Sequence, residues 1–435
     1  LLRLLSFPEM HARESKVESA YKATYDWIQS SKEYQEWKSS RDGKLLIKGK
    51  AGCGKSTMMR HLIQKEKSRE NGNSGVVCGF FFNARGAAME KSLEAMFRTL
   101  LHQLLQQDPI LYRRLEPFHS DMKVVMNTQV RVVDWTRETL MQMFEITVQS
   151  PGLTGLIYID ALDEGEGFLP SFIFQFLESQ LLESHEVSLR ICLSSRPSNF
   201  INHRKWTTID LGESNSVDIK AYALTELSKT AESCPGMGYE SIVPKIAENI
   251  LLKAQGVFLW VKLVVKELLA AMNDYEPAGT IYDILSATPA DLWELFLSCL
   301  QKVKEDDRLE AIRILQIVLV AARPLTIEEL MEIMAVASVV TPLGSKPDAQ
   351  DAVRTREQMK IRVFNLCRGL VEVAETDRNF DIGIHLTTEV QFMHQSVKDF
   401  LRGDKLPAEL KKLGSPSLEA SGHELMFNCC LHYLL

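Results

Sequence analysis

The sequence predicts an α/β protein: a three-layer parallel sheet with helices on both faces, followed by an all-helical segment and a smaller mixed region. Three observations lead there. Apolar runs of strand length alternate with helical patterns as far as Asp210, as in a parallel sheet buried on both sides. A glycine-rich motif joins the first of those runs to the helix after it. From Asn215 to about Asn273 only helical periodicity remains.

Taken in order, residues 1–40 read as a helical lead-in carrying Tyr21, Tyr25, Trp27, Tyr34 and Trp37. Arg41-Asp42-Gly43 is a turn, Lys44–Lys48 a short strand, and a helix runs on from Lys55. The turn residues Asn71-Gly72-Asn73 precede an aromatic-rich strand, Val76–Phe82. Leu93, Met96, Phe97, Leu100, Leu101 and Leu104 recur at helical spacing, so Lys91–Gln107 is an amphipathic helix. Leu140, Met143, Phe144, Thr147 and Val148 mark another, and Gly155–Asp160 and Leu189–Ser194 are further strands. The break Ala287-Thr288-Pro289 opens a third region, in which Thr326 and Glu329 stand at capping-box spacing before a helix. Gly369–Ala374 and Glu389–Met393 flank a polar loop as a hairpin would, and more helix is expected from Ser415. No repeat at a fixed period interrupts this order.

Composition bounds the function. The 435 residues suggest about three domains, and 45% hydrophobic with 25% charged residues is ordinary globular usage. A net charge of −7 excludes a chain whose main task is wrapping nucleic acid. The eight cysteines form no CxxC pair and mostly sit in apolar runs, as reduced thiols of a cytoplasmic protein do. The most lipid-like segment, Gly256–Met272, is interrupted by Lys262, Lys266 and Glu267, so no membrane span is expected. The chain begins at Leu1 without a methionine and ends inside an apolar helical pattern, and both ends are expected to be cut.

The strongest motif is Gly49-Lys50-Ala51-Gly52-Cys53-Gly54-Lys55-Ser56, which fits GxxxxGK[ST]. Its glycines let successive backbone N–H groups turn inward on phosphate oxygens. Lys55 brings a point charge to the β- and γ-phosphates, the Ser56 hydroxyl can ligate Mg²⁺, and the helix after it adds its positive end. Chance would produce the pattern in roughly one chain of this length in fifty. Its position between an apolar strand and a helix is the one the chemistry requires.

Leu156–Asp160 is an apolar strand ending in a carboxylate, followed by Ala161-Leu162-Asp163-Glu164. Asp160 stands where a nucleotide-bound Mg²⁺ needs its protein carboxylate. Asp163 or Glu164 can act as general base toward water; the competing reading is that both belong to a solvated turn. Arg196 follows the strand Leu189–Ser194 and is placed to meet a γ-phosphate, since ligands gather at the carboxyl ends of parallel strands. His394 follows a short apolar strand and, on its own chemistry, reads as a half-buried structural histidine.

Together GKAGCGKST (49–57), FPEMHARESKVESAYKATYDWI (7–28), FFFNARG (80–86), LIYIDALDE (156–164), LSSRP (193–197), RPLTIEEL (323–330) and FMHQSVKDFL (392–401) resemble a NACHT-type signal-transduction NTPase of the STAND class, as in fungal NLR-like receptors. The resemblance implies a phosphate-loop domain at 41–212 after the lead-in 1–40, a helical lid at 213–285, a winged-helix domain at 286–404 and the start of a further helical region at 405–435. It implies ATP/ADP and Mg²⁺ as cofactors. Gly49, Ala51, Gly52, Cys53, Gly54, Lys55, Ser56 and Thr57 would bind the nucleotide, Ser56 and Asp160 the metal, and Asp163, Glu164 and Arg196 would act in hydrolysis. It also lifts His394 from a structural residue to a β-phosphate contact that holds a closed, ADP-bound state, and places Arg13-Glu14 near the base. One departure stands out: Gly256-Val257-Phe258 lacks the proline that many relatives carry two residues after the glycine.

The function expected on this likeness is a nucleotide-controlled switch, opened and allowed to self-associate by exchange of ADP for ATP, with effector and sensor modules outside these residues. Two other readings compete. A phosphate-loop kinase would need an arginine-rich lid, and 215–285 is poor in arginine. A non-catalytic scaffold would hold nucleotide for stability and leave Asp163 and Glu164 idle. DNA binding by the third region is disfavoured, because 355–405 shows no dense basic helix.

Overall fold

The computed structural model describes residues 1–22, 24–68, 75–116, 118, 135–182, 187–197, 206–340, 355–380, 383–403 and 417–434. These form two compact units, Leu1–Tyr282 and Asp283–Leu435.

The first unit is organised by a parallel sheet of β1 (Lys44–Lys48), β2 (Val76–Phe81), β3 (Thr154–Asp160), β4 (Ser188–Ser195) and β5 (Thr207–Asp210), in the order β2-β3-β4-β1-β5. Alternate residues of each strand enter different cores, as the pleat requires. Leu46, Val76, Cys78, Ile157, Ile159 and Ile191 face one layer. Leu45, Ile47, Val77, Leu156, Tyr158 and Cys192 face the other. Both faces are thus dry, which is why these strands read as unbroken apolar runs.

On the first face lie α5 (Leu93–Gln107), α6 (Arg137–Val148) and α7 (Pro170–Leu182). Ser92 caps α5 by accepting from the Ala95 N–H, and Phe97 meets Phe144 of α6 with ring centroids 5.4 Å apart. Helix α5 also closes the outer edge of β2. Gln103 exchanges two hydrogen bonds with Gly79 (2.7 and 3.0 Å), and Gln107 exchanges two with Val77 (2.9 and 3.0 Å), each carboxamide imitating the backbone of a missing strand. On the second face lie α4 (Lys55–Lys67) and the lead-in from Val17 onward, while Leu5 near its start packs into the first-face core.

The lead-in departs from the expected helical run. It is broken into α1 (Leu2–Leu5), α2 (Ala12–Lys16), a 3₁₀ turn (Asp26–Ser30) and α3 (Lys32–Ser39). Tyr34 and Trp37 share one face of α3 with ring centroids 5.2 Å apart, Tyr25 enters the same core from ahead of the 3₁₀ turn, and Trp37 Nε1 donates to Gly43 O and Ile191 O. The turn expected at 71–73 lies outside the described residues. After β5 come α8 (Leu211–Ser214), α9 (Ser216–Ser233), α10 (Tyr239–Ala254) and α11 (Phe258–Asn273), helices only, and α12 (Ala278–Ala287) runs across the division into the second unit.

The second unit runs α13 (Leu292–Gln301), α14 (Arg308–Val320), β6 (Leu325–Thr326), α15 (Ile327–Val340), α16 (Arg356–Leu366), β7 (Val371–Phe380), β8 (Gly383–Phe392), α17 (Gln395–Arg402) and α18 (Leu418–Leu434). The strands form an antiparallel sheet in the order β6-β8-β7. The hairpin is longer than its apolar ends suggested, because polar residues continue the ladder beyond them. The capping box before α15 is present: Thr326 Oγ1 accepts from the Glu329 N–H at 3.1 Å, and Glu329 Oε2 accepts from the Thr326 N–H at 2.8 Å. The further helical region expected from 405 falls partly on 404–416, outside the described residues.

Candidate functional site

The ends of β1, β4 and β3 are level, with Lys48 opposite Ser195 and Ile159 opposite Leu193, so the segments leaving them converge on one edge of the sheet. The Gly49–Gly54 loop leaves β1 and enters α4 at Gly54, with no side chain capping that helix and no acidic residue in its first turn. Its N-terminal N–H groups and its dipole are left for an anion. Gly52 (φ +77°) and Gly54 (φ +102°) take backbone angles that side chains disfavour. A Cβ on Gly54 would also stand 2.5 Å from the Tyr25 hydroxyl. The Lys55 ammonium is folded against the loop, donating to Gly49 O (2.7 Å) and Lys50 O (3.0 Å). Cys53 is fully buried beside it, and burial raises its thiol pKa.

Asp160, at the end of β3, is completely buried. Its Oδ1 accepts from Ser194 Oγ at 2.5 Å, and the Ser56 hydroxyl also hydrogen-bonds to it. Ser194 Oγ in turn accepts from the Ala161 N–H at 2.9 Å, holding Ala161 at φ +54° and turning the chain sharply after the carboxylate. Burial raises the Asp160 pKa, while the hydrogen bonds from Ser194 and Ser56 and the charge of Arg13 work against that rise. Asp160 Oδ2 is buried without a hydrogen-bond partner. An orphaned carboxylate oxygen beside a serine hydroxyl and a phosphate loop fits a Mg²⁺ ion, which takes few protein ligands and completes its shell with phosphate and water. Among the described residues no cluster of three or more His, Cys, Asp or Glu forms a closed metal cage.

The two acids after Asp160 are differently engaged. Asp163 Oδ1 accepts from the Arg196 N–H at 2.9 Å, and its Oδ2 pairs with Arg196 Nε at 3.0 Å. Glu164 Oε2 accepts from the Ala84 N–H at 3.0 Å. The loop, Ser56, Asp160, Asp163, Glu164 and Arg196 therefore all gather at the carboxyl edge of the sheet. His394 belongs to the second unit, where it caps α17: its Nδ1 accepts from the Ser396 N–H at 3.0 Å.

Residues 23–196 match the family described as nephrocystin 3, N-terminal. This match, with the first relative below, supports the resemblance to the NACHT-type NTPases of the STAND class. Residues 302–434 match a domain of unknown function (DUF7791). The vegetative incompatibility protein HET-E-1 of Podospora anserina is 26% identical over 88% of this chain and 26% of its own length. The azaphilone pigments biosynthesis cluster protein L of Monascus ruber is 28% identical over 35% of this chain and 29% of its own. The chain thus spans little more than a quarter of either relative. Solved structures give distant likenesses. The Aeropyrum pernix ORC1 protein in complex with DNA has 13% identity and a TM-score of 0.34, covering 94% of this chain and 98% of its own. Drosophila ORC bound to DNA has 11% identity and a TM-score of 0.38, covering 91% and 92%. Among the described residues, no helix is long and apolar enough to cross a membrane.

Three residues that contact the loop or Asp160 were given no role in the sequence reading. Ser194 orients Asp160; it lies within LSSRP (193–197) at a strand end, where only Arg196 was assigned a role. Asn215 and Tyr25 hold the loop from outside, as described below. Gly256, by contrast, has a legible reason for being glycine. At φ +79° it packs its α-carbon so tightly that a Cβ would lie 2.1 Å from Gly212 O. Gly256→Ala is expected to destabilise the first unit by about 2 kcal/mol, read as a lower urea midpoint with an unchanged slope.

Proposed function

We propose that the chain is the core of a nucleotide-controlled switch that binds ADP and Mg²⁺-ATP and hydrolyses ATP slowly. The observation that most supports this is the inward-turned loop placed beside Asp160, whose second oxygen is buried without a protein partner. Loop amides and the α4 N-terminus bind the phosphates, and Lys55 exchanges its contacts to Gly49 O and Lys50 O for phosphate oxygens. Ser56 and Asp160 would hold the metal, which would supply positive charge beside the phosphates. Glu164 is the better candidate to position water, because both oxygens of Asp163 are taken up by Arg196 whereas Glu164 uses one oxygen on Ala84. Release of Arg196 from Asp163 would turn its guanidinium toward the γ-phosphate.

The second unit runs helix, short strand, two helices and a hairpin, α14 to β8. That order supports reading it as the winged helix. The cap bond to His394 Nδ1 keeps the ring proton on Nε2, the tautomer that donates to a phosphate oxygen. In this reading His394 holds the closed ADP state, and exchange for ATP shifts the population toward an open form that self-associates. Effector and sensor modules would lie in other parts of a longer protein.

The test is the nucleotide that survives purification, released by denaturation and resolved by anion-exchange chromatography. Stoichiometric ADP is expected, and a chain that binds neither ADP nor ATP would end the proposal. Glu164→Gln is expected to slow ATP turnover by about a hundredfold with ADP binding kept, and Asp163→Asn to slow it less. Unchanged turnover in both would favour the non-catalytic scaffold.

A further inference from the structure

Helix α11 starts without a cap of its own: Val257 occupies the N-cap position and supplies no side-chain acceptor. The first N–H groups of a helix need acceptors from elsewhere. One of them, the Leu259 N–H, donates to Gly52 O of the phosphate loop at 2.9 Å. The next loop carbonyl, Cys53 O, accepts from Asn215 Nδ2 at 3.1 Å, and the same amide donates to Gly256 O at 2.9 Å. The carbonyl after that, Gly54 O, accepts from the Tyr25 hydroxyl at 3.3 Å. Two consecutive loop carbonyls are therefore held by α11 and by the α8–α9 junction, and the third, Gly54 O, is shared between the lead-in and the Met58 N–H of α4 (3.0 Å).

In a trans peptide the C=O of one residue and the N–H of the next point in opposite directions, and the described chain contains no cis bond. Holding the carbonyls of 53 and 54 from outside therefore turns the N–H groups of 54 and 55 to the opposite, phosphate side, while the Cys53 N–H donates to Lys50 O at 3.3 Å within the loop. Asn215 also behaves unlike a packing residue. It is 1% exposed, yet its Oδ1 is buried with no hydrogen-bond partner. A buried orphan acceptor is costly, and what the side chain does here is donate to two carbonyls. One belongs to the loop. The other belongs to Gly256, in the left-handed link that joins α10 to α11.

We propose that Asn215 and the uncapped start of α11 are positioning elements of the phosphate loop: they orient its peptide planes, so that the placement of the 213–285 helices and the affinity for phosphate form one equilibrium. The proposal rests on the nucleotide-binding reading above and extends it to the residues that regulate the same site. The loop and α11 stabilise each other, since the loop caps the helix while the helix aims the loop. Movement of α11 would leave Gly52 O and the Leu259 N–H unpaired together, and the loop amides would lose their common aim.

The test titrates ADP and inorganic pyrophosphate into the full 435-residue chain by calorimetry. Asn215→Ala is expected to weaken both by on the order of tenfold and by the same factor, because the effect passes through the phosphates. Leu259→Pro is the second probe. It deletes the N–H that reaches Gly52 O, a group the first turn of α11 does not use internally, and keeps a Cβ. It is expected to weaken both ligands likewise, and it decides the matter if Asn215→Ala fails to fold. ADP and pyrophosphate affinities within twofold of the parent chain in a folded variant would overturn the proposal. So would a loss confined to ADP, which would place the effect on the base side. A parent chain that binds neither ligand would instead remove the nucleotide-binding reading, and this inference with it.

Discussion

Lys55→Ala should leave purification empty, with ADP affinity lowered by about a hundredfold or more. The lysine is only 9% exposed, so its ammonium would meet phosphate with little water between them. Charge-assisted hydrogen bonds are worth roughly 1.5–3 kcal/mol each, and one or two lost contacts reach that factor. The substitution also removes the ammonium that holds Gly49 O and Lys50 O, so the empty loop should loosen. Lys55→Arg is expected to fail as well, because a planar fork does not replace a compact point charge in so closed a space. Chromatography of the denatured supernatant and calorimetry with ADP check this. Stoichiometric ADP retained by Lys55→Ala would refute it.

Asp160→Asn should act in two opposite directions. Mg²⁺-ATP binding is expected to fall by about a hundredfold, since a neutral amide replaces the one buried carboxylate beside Ser56. Nucleotide-free protein, in contrast, should gain roughly 1 kcal/mol at neutral pH, as functional residues often cost stability. Burial raises the Asp160 pKa in the folded state above its ordinary value of 3.8. For a group raised in this way, the stability it contributes is complete below the unfolded pKa and is lost as pH rises through the folded one. Asparagine has no such loss. The advantage of the variant should therefore be absent near pH 3.5, grow through the acid range and level off by neutrality. Urea titrations of both proteins across that range, without nucleotide, measure the difference. An advantage that is constant with pH would show that the carboxylate charge is not its cause.

Much of the first unit was legible from residues alone. Strands buried on both faces leave continuous apolar runs, so Lys44–Lys48 appears as read and Leu189–Ser194 lies within β4. Thr207–Asp210 was missed as a strand because two threonines, one isoleucine and an acid make no such run. The lead-in misled in the other direction: read as a helical run, it is broken into short helices and a 3₁₀ turn, with Tyr34 and Trp37 of α3 and Tyr25 ahead of the turn entering one core. The residues brought together at the sheet edge all lay in motifs whose chemistry is local. Asn215 did not. An asparagine ahead of a helix reads as an N-cap, yet its side chain caps nothing in α9 and reaches a carbonyl 162 residues away. Tyr25 likewise meets Gly54 from an unrelated segment, and no local pattern encodes such bonds.

The glutamine ladder on β2 has a consequence for assembly. A sheet with a bare margin can grow by accepting a strand from a neighbouring molecule, and proteins that collect into oligomers are exposed to that hazard each time they open. Here the outward amides of Val77 and Gly79 are already matched, donor to acceptor, by Gln107 and Gln103. An incoming strand would have to evict two side chains that lose nothing by staying. At Val77 and Gly79 that margin is already occupied by the monomer's own helix, which opposes strand addition there. Any ring or filament of this chain built through the β2 border would first have to displace Gln103 and Gln107, so that border favours the lone molecule over a shared sheet.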